Sequence, residues 1–153
     1  MRSAAPRPRH DRPATVLRLA LVLATLVLVA CGGEVSGSGD PPSSGEYRLV
    51  EGQGPDGEIP LVEDAPVTLV VDGEDWGGTA ACNQYGATVA LDGDRLEVRE
   101  LFQTEMACVD DTVMRSERTY LDAFMAADRF EHSGDRLVLH GDEVELVFEP
   151  VTR

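Results

Sequence analysis

The chain has 153 residues, of which 42% are apolar and 27% are charged, and its formal charge is −15. Its length is that of one ordinary domain, and its composition is typical of a folded protein rather than a disordered one. Because each phosphate contact to a nucleic acid needs a cation on the protein, we expect that so acidic a chain does not bind DNA or RNA.

The first thirty residues have the features of an export signal. Five arginines and one aspartate give residues 1–30 a local charge of +4, which leaves −19 for the other 123 residues. The apolar run 19–30 is shorter than the roughly 20 residues that a membrane-spanning helix needs. The sequence therefore predicts that residues 1–30 are a signal peptide.

The apolar run ends in Leu-Val-Ala-Cys at positions 28–31, which resembles the lipobox of bacterial lipoproteins. The resemblance implies that 1–30 is a lipoprotein signal peptide, that cleavage follows Ala30 and that Cys31 receives the lipid. The expected location is the extracytoplasmic face of the cell membrane, with acyl chains at Cys31 as the anchor. The alternative is a soluble secreted protein in which Cys31 is a spare thiol.

Residues 31–45 are predicted to be a tether between this anchor and the domain. Gly, Ser and Pro fill 11 of the 14 positions from 32 to 45. Such a composition is typical of a flexible linker, and we expect no order in it.

Strand patterns dominate the predicted domain, residues 46–150. Apolar and β-branched runs alternate with turn dipeptides such as Asp72-Gly73 and Asp92-Gly93, and His140-Gly141-Asp142 separates the last two runs. This spacing is typical of an antiparallel meander. The runs lie at 47–50, 67–71, 87–91, 96–102, 137–139 and 144–148.

One segment, about 111–127, has the 3.6-residue period of a helix instead. Asp110 or Asp111 can cap its start. We therefore expect an α+β, mainly β fold: a small, highly curved antiparallel sheet of seven or eight strands, or a lipocalin-like barrel, with one inserted helix that plugs it.

Two cysteines remain once Cys31 is assigned to the anchor, namely Cys82 and Cys108. Outside the cytoplasm such a pair in a small domain usually oxidises, so a disulfide is favoured over two free thiols, although both stay open at this point.

The residues around this pair resemble a known family. Cys82-Asn83-Gln84-Tyr85 is followed by Thr104-Glu105-Met106-Ala107-Cys108 and then by a helix that carries Glu117, Tyr120, Leu121 and Phe124. This order is similar to the META domain, the HslJ-like family of bacterial envelope lipoproteins and related heat-shock proteins. The family motif positions matched here are Asn83, Tyr85, Thr104, Met106 and Ala107. Ala81 departs from the pattern, which has glycine before the first cysteine.

The resemblance implies a compact, highly curved lipocalin-like sheet and an association with envelope stress, with no established enzymatic activity. Asn83 suits either a turn with positive φ or a bond from its side chain to the backbone. Met106 is expected to fill core space rather than to bind metal.

Other chemistry has weaker support. Cys82 with His132 or His140 could form a nucleophile and its base, but a body of charge −19 opposes a thiolate. The acidic turns lack the ligand spacing of a calcium loop, and the Cys and His residues lack that of a zinc site. We therefore expect no catalytic residues, no dedicated metal site and no cofactor, while weak surface binding of divalent cations at the acidic turns stays open.

The sequence thus predicts a monomeric binding or structural module in envelope homeostasis, not an enzyme, whose partner is an unidentified envelope protein or small ligand. One alternative is a small β-barrel lipoprotein that inhibits a hydrolase through an exposed loop around residues 51–63. Another is a thiol–disulfide redox protein that uses Cys82 and Cys108.

Overall fold

A nine-stranded antiparallel sheet makes up most of the structure, a computed structural model that describes residues 41–152. The predicted signal peptide with Ala30, the predicted anchor Cys31 and residues 32–40 of the predicted tether lie outside the described residues. The elements are β1 (Gly45–Gly54), β2 (Gly57–Glu58), β3 (Thr68–Asp72), β4 (Asp75–Ala80), β5 (Asn83–Asp92), β6 (Arg95–Gln103), α1 (Asp111–Ala126), β7 (Ala127–Ser133), β8 (Arg136–Gly141) and β9 (Val144–Pro150).

The sheet closes on itself because β1 pairs with β3 on one side and with β9 on the other. Eight strands form the closed barrel, and the two-residue β2 attaches to the end of β1. Closure gives β1 a partner on both sides, which protects this strand from pairing with other chains, whereas β6 and β7 pair only at Arg95 and Arg129. The mainly β fold with a curled sheet and one inserted helix is confirmed.

Tight hairpins join most of the neighbouring strands. Asp72 pairs with Asp75, and Asp92 pairs with Arg95, so each of these loops has two residues. Gly73 and Gly93 lie in them with φ of 61° and 63°, a backbone conformation that glycine adopts without strain. The Asp-Gly turns that the sequence predicted are therefore those that set the strand pairing.

The helix begins where predicted and ends one residue earlier, since Ala127 already belongs to β7. The Asp110 carboxylate caps it by accepting from the backbone N–H groups of Thr112 and Val113 at 2.7 and 3.2 Å. A Cβ placed on Gly54 would lie 2.9 Å from Cβ of Ala123. Glycine at the end of β1 therefore lets the helix lie directly against the barrel.

The core contains four aromatic rings between the helix and the strands. Tyr120 and Phe124 of α1 pack with Tyr85 of β5, with ring centroids 5.5 to 5.9 Å apart, and Tyr120 also contacts Phe148 of β9. The apolar face of the helix thus plugs the barrel as the sequence predicted.

The last residues of the predicted tether are ordered, contrary to expectation. Pro42 is buried, the Tyr47 hydroxyl donates to the carbonyl of Ser43 at 2.8 Å, and β1 begins at Gly45. The expectation of no order is wrong for residues 42–45, because side chains of the domain contact them. Within the part of the chain that the structure describes, no helix is long and apolar enough to cross a membrane.

Candidate functional site

The motif residues meet where the β4–β5 hairpin contacts the helix. Ala80 pairs with Asn83, so Ala81 and Cys82 form a two-residue loop. Ala81 has φ of 60° and is the central residue of a γ-turn, because the N–H of Cys82 donates to the carbonyl of Ala80 at 2.7 Å; glycine adopts this conformation with less strain. The positive φ therefore belongs to Ala81 and not to Asn83, and alanine adopts it at a cost.

Asn83 connects three segments through its side chain. Its Oδ1 accepts from the backbone N–H of Met106 at 2.7 Å and from Oγ1 of Thr104 at 2.8 Å. Its Nδ2 donates to the carbonyl of Met106 at 3.1 Å and to Oε1 of Glu117 at 3.0 Å. Since Asn83 is only 2% exposed, these bonds replace water and hold the segment after β6 against the hairpin.

Glu117 presents a buried carboxylate to the same hairpin. It is 4% exposed, and its Oε2 accepts from the backbone N–H of Asn83 at 2.6 Å. In an ordinary two-residue hairpin loop this N–H would bond back to the carbonyl of Ala80, which here accepts from Cys82 instead. Among residues 41–152, no basic side chain forms an ion pair with Glu117.

Cys82 and Cys108 are bonded in a disulfide, with their Cα atoms 6.1 Å apart and 26 positions apart in sequence. Cys82 is 6% exposed. The bond covalently links the β4–β5 hairpin to the residues before the helix, next to the contacts of Asn83. The disulfide favoured on the sequence is present, and the thiol of Cys82 is not available to His132 or His140.

A pair of buried tyrosines lies beneath this cluster. The hydroxyl of Tyr85 donates to the carbonyl of Thr68 at 3.0 Å and accepts from the hydroxyl of Tyr120. Burial raises the pKa of the Tyr85 phenol well above its usual value of 10.0. Burial also raises the pKa of Tyr120, and the neighbouring Tyr85 adds to the effect. Both phenols therefore stay neutral and serve as hydrogen-bonding core residues.

This geometry belongs to a known family. A family model described as the META domain matches residues 42–152. The chain belongs to the META domain family. A search of curated proteins finds no match.

Solved structures show the same fold. An NMR structure of a protein from Burkholderia xenovorans is similar to this chain with a TM-score of 0.62 and 21% identity, over 96% of this chain and 100% of that one. A second NMR structure gives a TM-score of 0.54 and 14% identity, over 71% of this chain and 91% of that one. At these identities the likeness concerns the fold of the META domain alone.

The META motif uses the backbone of Met106 and not its side chain. Met106 is 56% exposed, so the prediction that it fills core space is wrong. Its N–H and carbonyl both bond to Asn83, and the side chain is left pointing to solvent. Ala107 and Thr104 are likewise exposed, but the hydroxyl of Thr104 donates to Oδ1 of Asn83.

The role of Glu117 was not assigned from the sequence, although a signal for it exists. Glu117 lies at helical spacing from Tyr120, Leu121 and Phe124, which places a carboxylate on the apolar face of α1. A charged residue at such a position needs hydrogen-bond donors. Asn83 supplies them in this META domain.

The described residues give little support to a metal site or to the inhibitor alternative. Among the described residues, no group of three or more His, Cys, Asp or Glu side chains could hold a metal ion. The segment 51–63, on which the inhibitor alternative depends, contributes Ile59 to the core with 1% exposure. That segment is therefore not a free loop, and the inhibitor alternative loses the feature that would favour it.

Proposed function

We propose that this META-domain protein is an extracytoplasmic lipoprotein, anchored through Cys31, that acts as a non-catalytic binding or structural module in envelope homeostasis under stress. The observation that carries the proposal is the Cys82–Cys108 disulfide, which braces the motif. Such bonds persist in oxidising compartments and are rare in the cytosol. The lipobox-like sequence at 28–31 supports the same location.

The polar groups of the motif support a role without catalysis. The side chain of Asn83 forms four hydrogen bonds, both oxygens of Glu117 accept from Asn83, and the two sulfurs are bonded to each other. A general base or a nucleophile needs a free lone pair close to a substrate. The motif instead holds the helix onto the barrel, so the proposed partner binds the outer surface.

Metabolic labelling with a radioactive fatty acid tests the anchor. The native chain should incorporate label into a membrane-bound product, whereas Cys31→Ser should not, because the acylated thiol is gone. The double variant Cys82→Ser with Cys108→Ser is the control, since it removes the other two cysteines together and should keep the label. Equal labelling of the native chain and Cys31→Ser would contradict the proposal.

Crosslinking in intact cells tests the binding role. Photo-reactive side chains placed on the outer surface, at Thr88 and Val138, should crosslink to a defined protein, because these residues lie on the barrel wall. The same groups placed in Cys31→Ser should give fewer crosslinks, since that variant loses the membrane location. If the two positions gave only a mixture of crosslinks to many abundant proteins, the result would contradict a specific binding role.

A further inference from the structure

A groove of about 410 Å³ runs across the outer wall of the barrel, over β4, β5 and β6. Asp75 and Thr88 pair across the first two strands and line one side of it. Glu100 and Phe102 of β6 line the other side, and Gly86 of β5 lies on the floor between the two sides. The groove is separate from the motif that fixes the helix.

Phe102 places an aromatic ring in the groove. It is 69% exposed, although it pairs with Gly86, and a Cβ on Gly86 would lie 2.5 Å from the ring atom Cζ. The ring tip therefore rests directly on the glycine backbone, as aromatic side chains do when they cover a cross-strand glycine. Much of the ring remains available to a partner.

A β-bulge turns a carboxylate into the same groove. Gly86 pairs with Phe102 and Thr88 pairs with Arg99, so the single residue Ala87 faces both Glu100 and Leu101. Glu100 has φ of 51° at this bulge. A bulge redirects side chains along a strand, and here it brings Glu100 into the groove beside Phe102.

The two carboxylates of the groove are not neutralised by the protein. Within residues 41–152, neither Asp75 nor Glu100 forms an ion pair. The adjacent Arg99 pairs with Glu97 and is also attracted by Glu74, and it does not line the groove. The groove therefore presents two negative charges and an aromatic ring.

We propose that this groove binds an arginine side chain of a basic protein segment, with the guanidinium stacked on Phe102 and donating to Glu100 and Asp75. A guanidinium fits because it is planar, stacks on aromatic rings and donates to carboxylates in pairs. The acidic groove and the body charge of −19 both attract a basic partner. The inference deepens the proposed binding role and rests on it.

The test is a titration of the purified full-length chain, in zwitterionic detergent at 150 mM salt, with a fluorescent hexa-arginine peptide. Binding should saturate and should shift the amide resonances of Gly86 and Thr88. Glu100→Gln and Asp75→Asn should each weaken binding at least fivefold. Phe102→Leu, which still covers Gly86, should weaken it about two- to fivefold through loss of the cation–π contact.

Glu143→Gln is the matched control, because Glu143 is also an exposed glutamate with positive φ, 57°, but lies in the β8–β9 turn. It should change the affinity less than twofold. Equal weakening by Glu143→Gln and Glu100→Gln would overturn the proposal, since it would mean attraction to acidic surface in general. The proposal would also be overturned if Phe102→Leu bound the peptide as tightly as the native chain does. The same holds if hexa-lysine bound as tightly as hexa-arginine.

A second glutamate variant separates binding from folding. Glu100→Gly relieves the backbone strain of the positive φ, so the melting temperature should be unchanged or higher. The same variant should bind the hexa-arginine peptide at least fivefold more weakly. Weakening with a lower melting temperature would instead indicate a purely structural role. Because the titration needs no acyl chain, its failure is distinguishable from a failure of labelling at Cys31.

Discussion

Ala81 holds a backbone conformation that its side chain disfavours. Its φ of 60° lies in the left-handed region, which costs a non-glycine residue about 1 kcal/mol or more. Asn83, Cys82 and the disulfide fix the loop around it, so the strain is maintained by its neighbours. The position where the family pattern has glycine is thus a position where glycine is physically favoured.

Ala81→Gly should therefore stabilise the protein by about 0.5–1 kcal/mol, with a melting temperature higher by about 2–4 °C. The control is Ala87→Gly on β5, where φ is not positive, and it should destabilise by about 1 kcal/mol. Thermal unfolding followed by circular dichroism measures both. A lower melting temperature for Ala81→Gly would show that the loop is not strained.

Glu117→Gln should destabilise the protein by about 2–3 kcal/mol. Glutamine presents one oxygen and one NH2 group, so one of the two donors of Asn83 loses its acceptor and faces another donor while buried. Asp122→Asn, an exposed change of the same kind on the same helix, should shift the free energy of unfolding by less than about 0.5 kcal/mol. Urea denaturation measures both.

The double variant Asn83→Asp with Glu117→Gln tests the contact directly. The aspartate can accept from the NH2 group of the glutamine. The loss in free energy of unfolding of the double variant should therefore be smaller, by about 1 kcal/mol, than the sum of the losses in the two single variants. Additive effects would indicate that the two side chains act separately.

At the scale of elements, the disulfide constrains the connection from β6 to α1. Replacement of both cysteines by serine should lower the free energy of unfolding by roughly 3–4 kcal/mol, because a bridge across 26 positions restricts the unfolded chain. Urea denaturation of the double variant, and of the native chain with dithiothreitol, measures the loss. Cys31→Ser is the control, and a loss as large in that variant would contradict the assignment of the effect to this bridge.

Element type and order were predictable because periodicity and turn chemistry are local. The helix start at Asp111, the Asp-Gly hairpins and the apolar runs all follow from near neighbours in sequence. The exposure of Phe102 was not predictable, since the bulge at Glu100 shifts the alternation of β6 by one residue. The exposure of Met106 was hidden for a related reason: the segment between β6 and α1 has no period that assigns a face.

The contacts of the site lay beyond sequence reasoning for a different reason. Asn83 and Glu117 are 34 residues apart, and only barrel closure and the helix position bring them together. The sequence showed that both residues were present, but only the structure shows that Asn83 donates to Glu117.

At the scale of the molecule, all three tyrosines are protected from ionisation. The pKa of Tyr47, like those of Tyr85 and Tyr120, is raised, chiefly by burial, and Asp135 adds to the effect at Tyr47. The native protein therefore holds these protons more tightly than the unfolded chain does, whose phenols ionise near pH 10.0. The contribution of these protons to the free energy of unfolding is fully present below pH 10 and is lost as the pH rises above 10.

Absorbance at 295 nm measures this directly. The native protein should show little tyrosinate at pH 10.5, whereas the same chain in 8 M urea should titrate near pH 10. Tyr85→Phe should flatten the fall in stability above pH 10, because one buried phenol is removed. A native titration that matches the one in urea would contradict the burial of these hydroxyls.

The pairing of β1 with β9 has a consequence for biogenesis. β1 gains β9 as a neighbour only when this last strand, Val144–Pro150, has been synthesised. A product truncated before Val144 would expose two adjacent strand edges, on β1 and β8, at once. The last strand is therefore required to close the barrel, and we expect a chain that stops before it to self-associate through these two open edges rather than to keep part of its function.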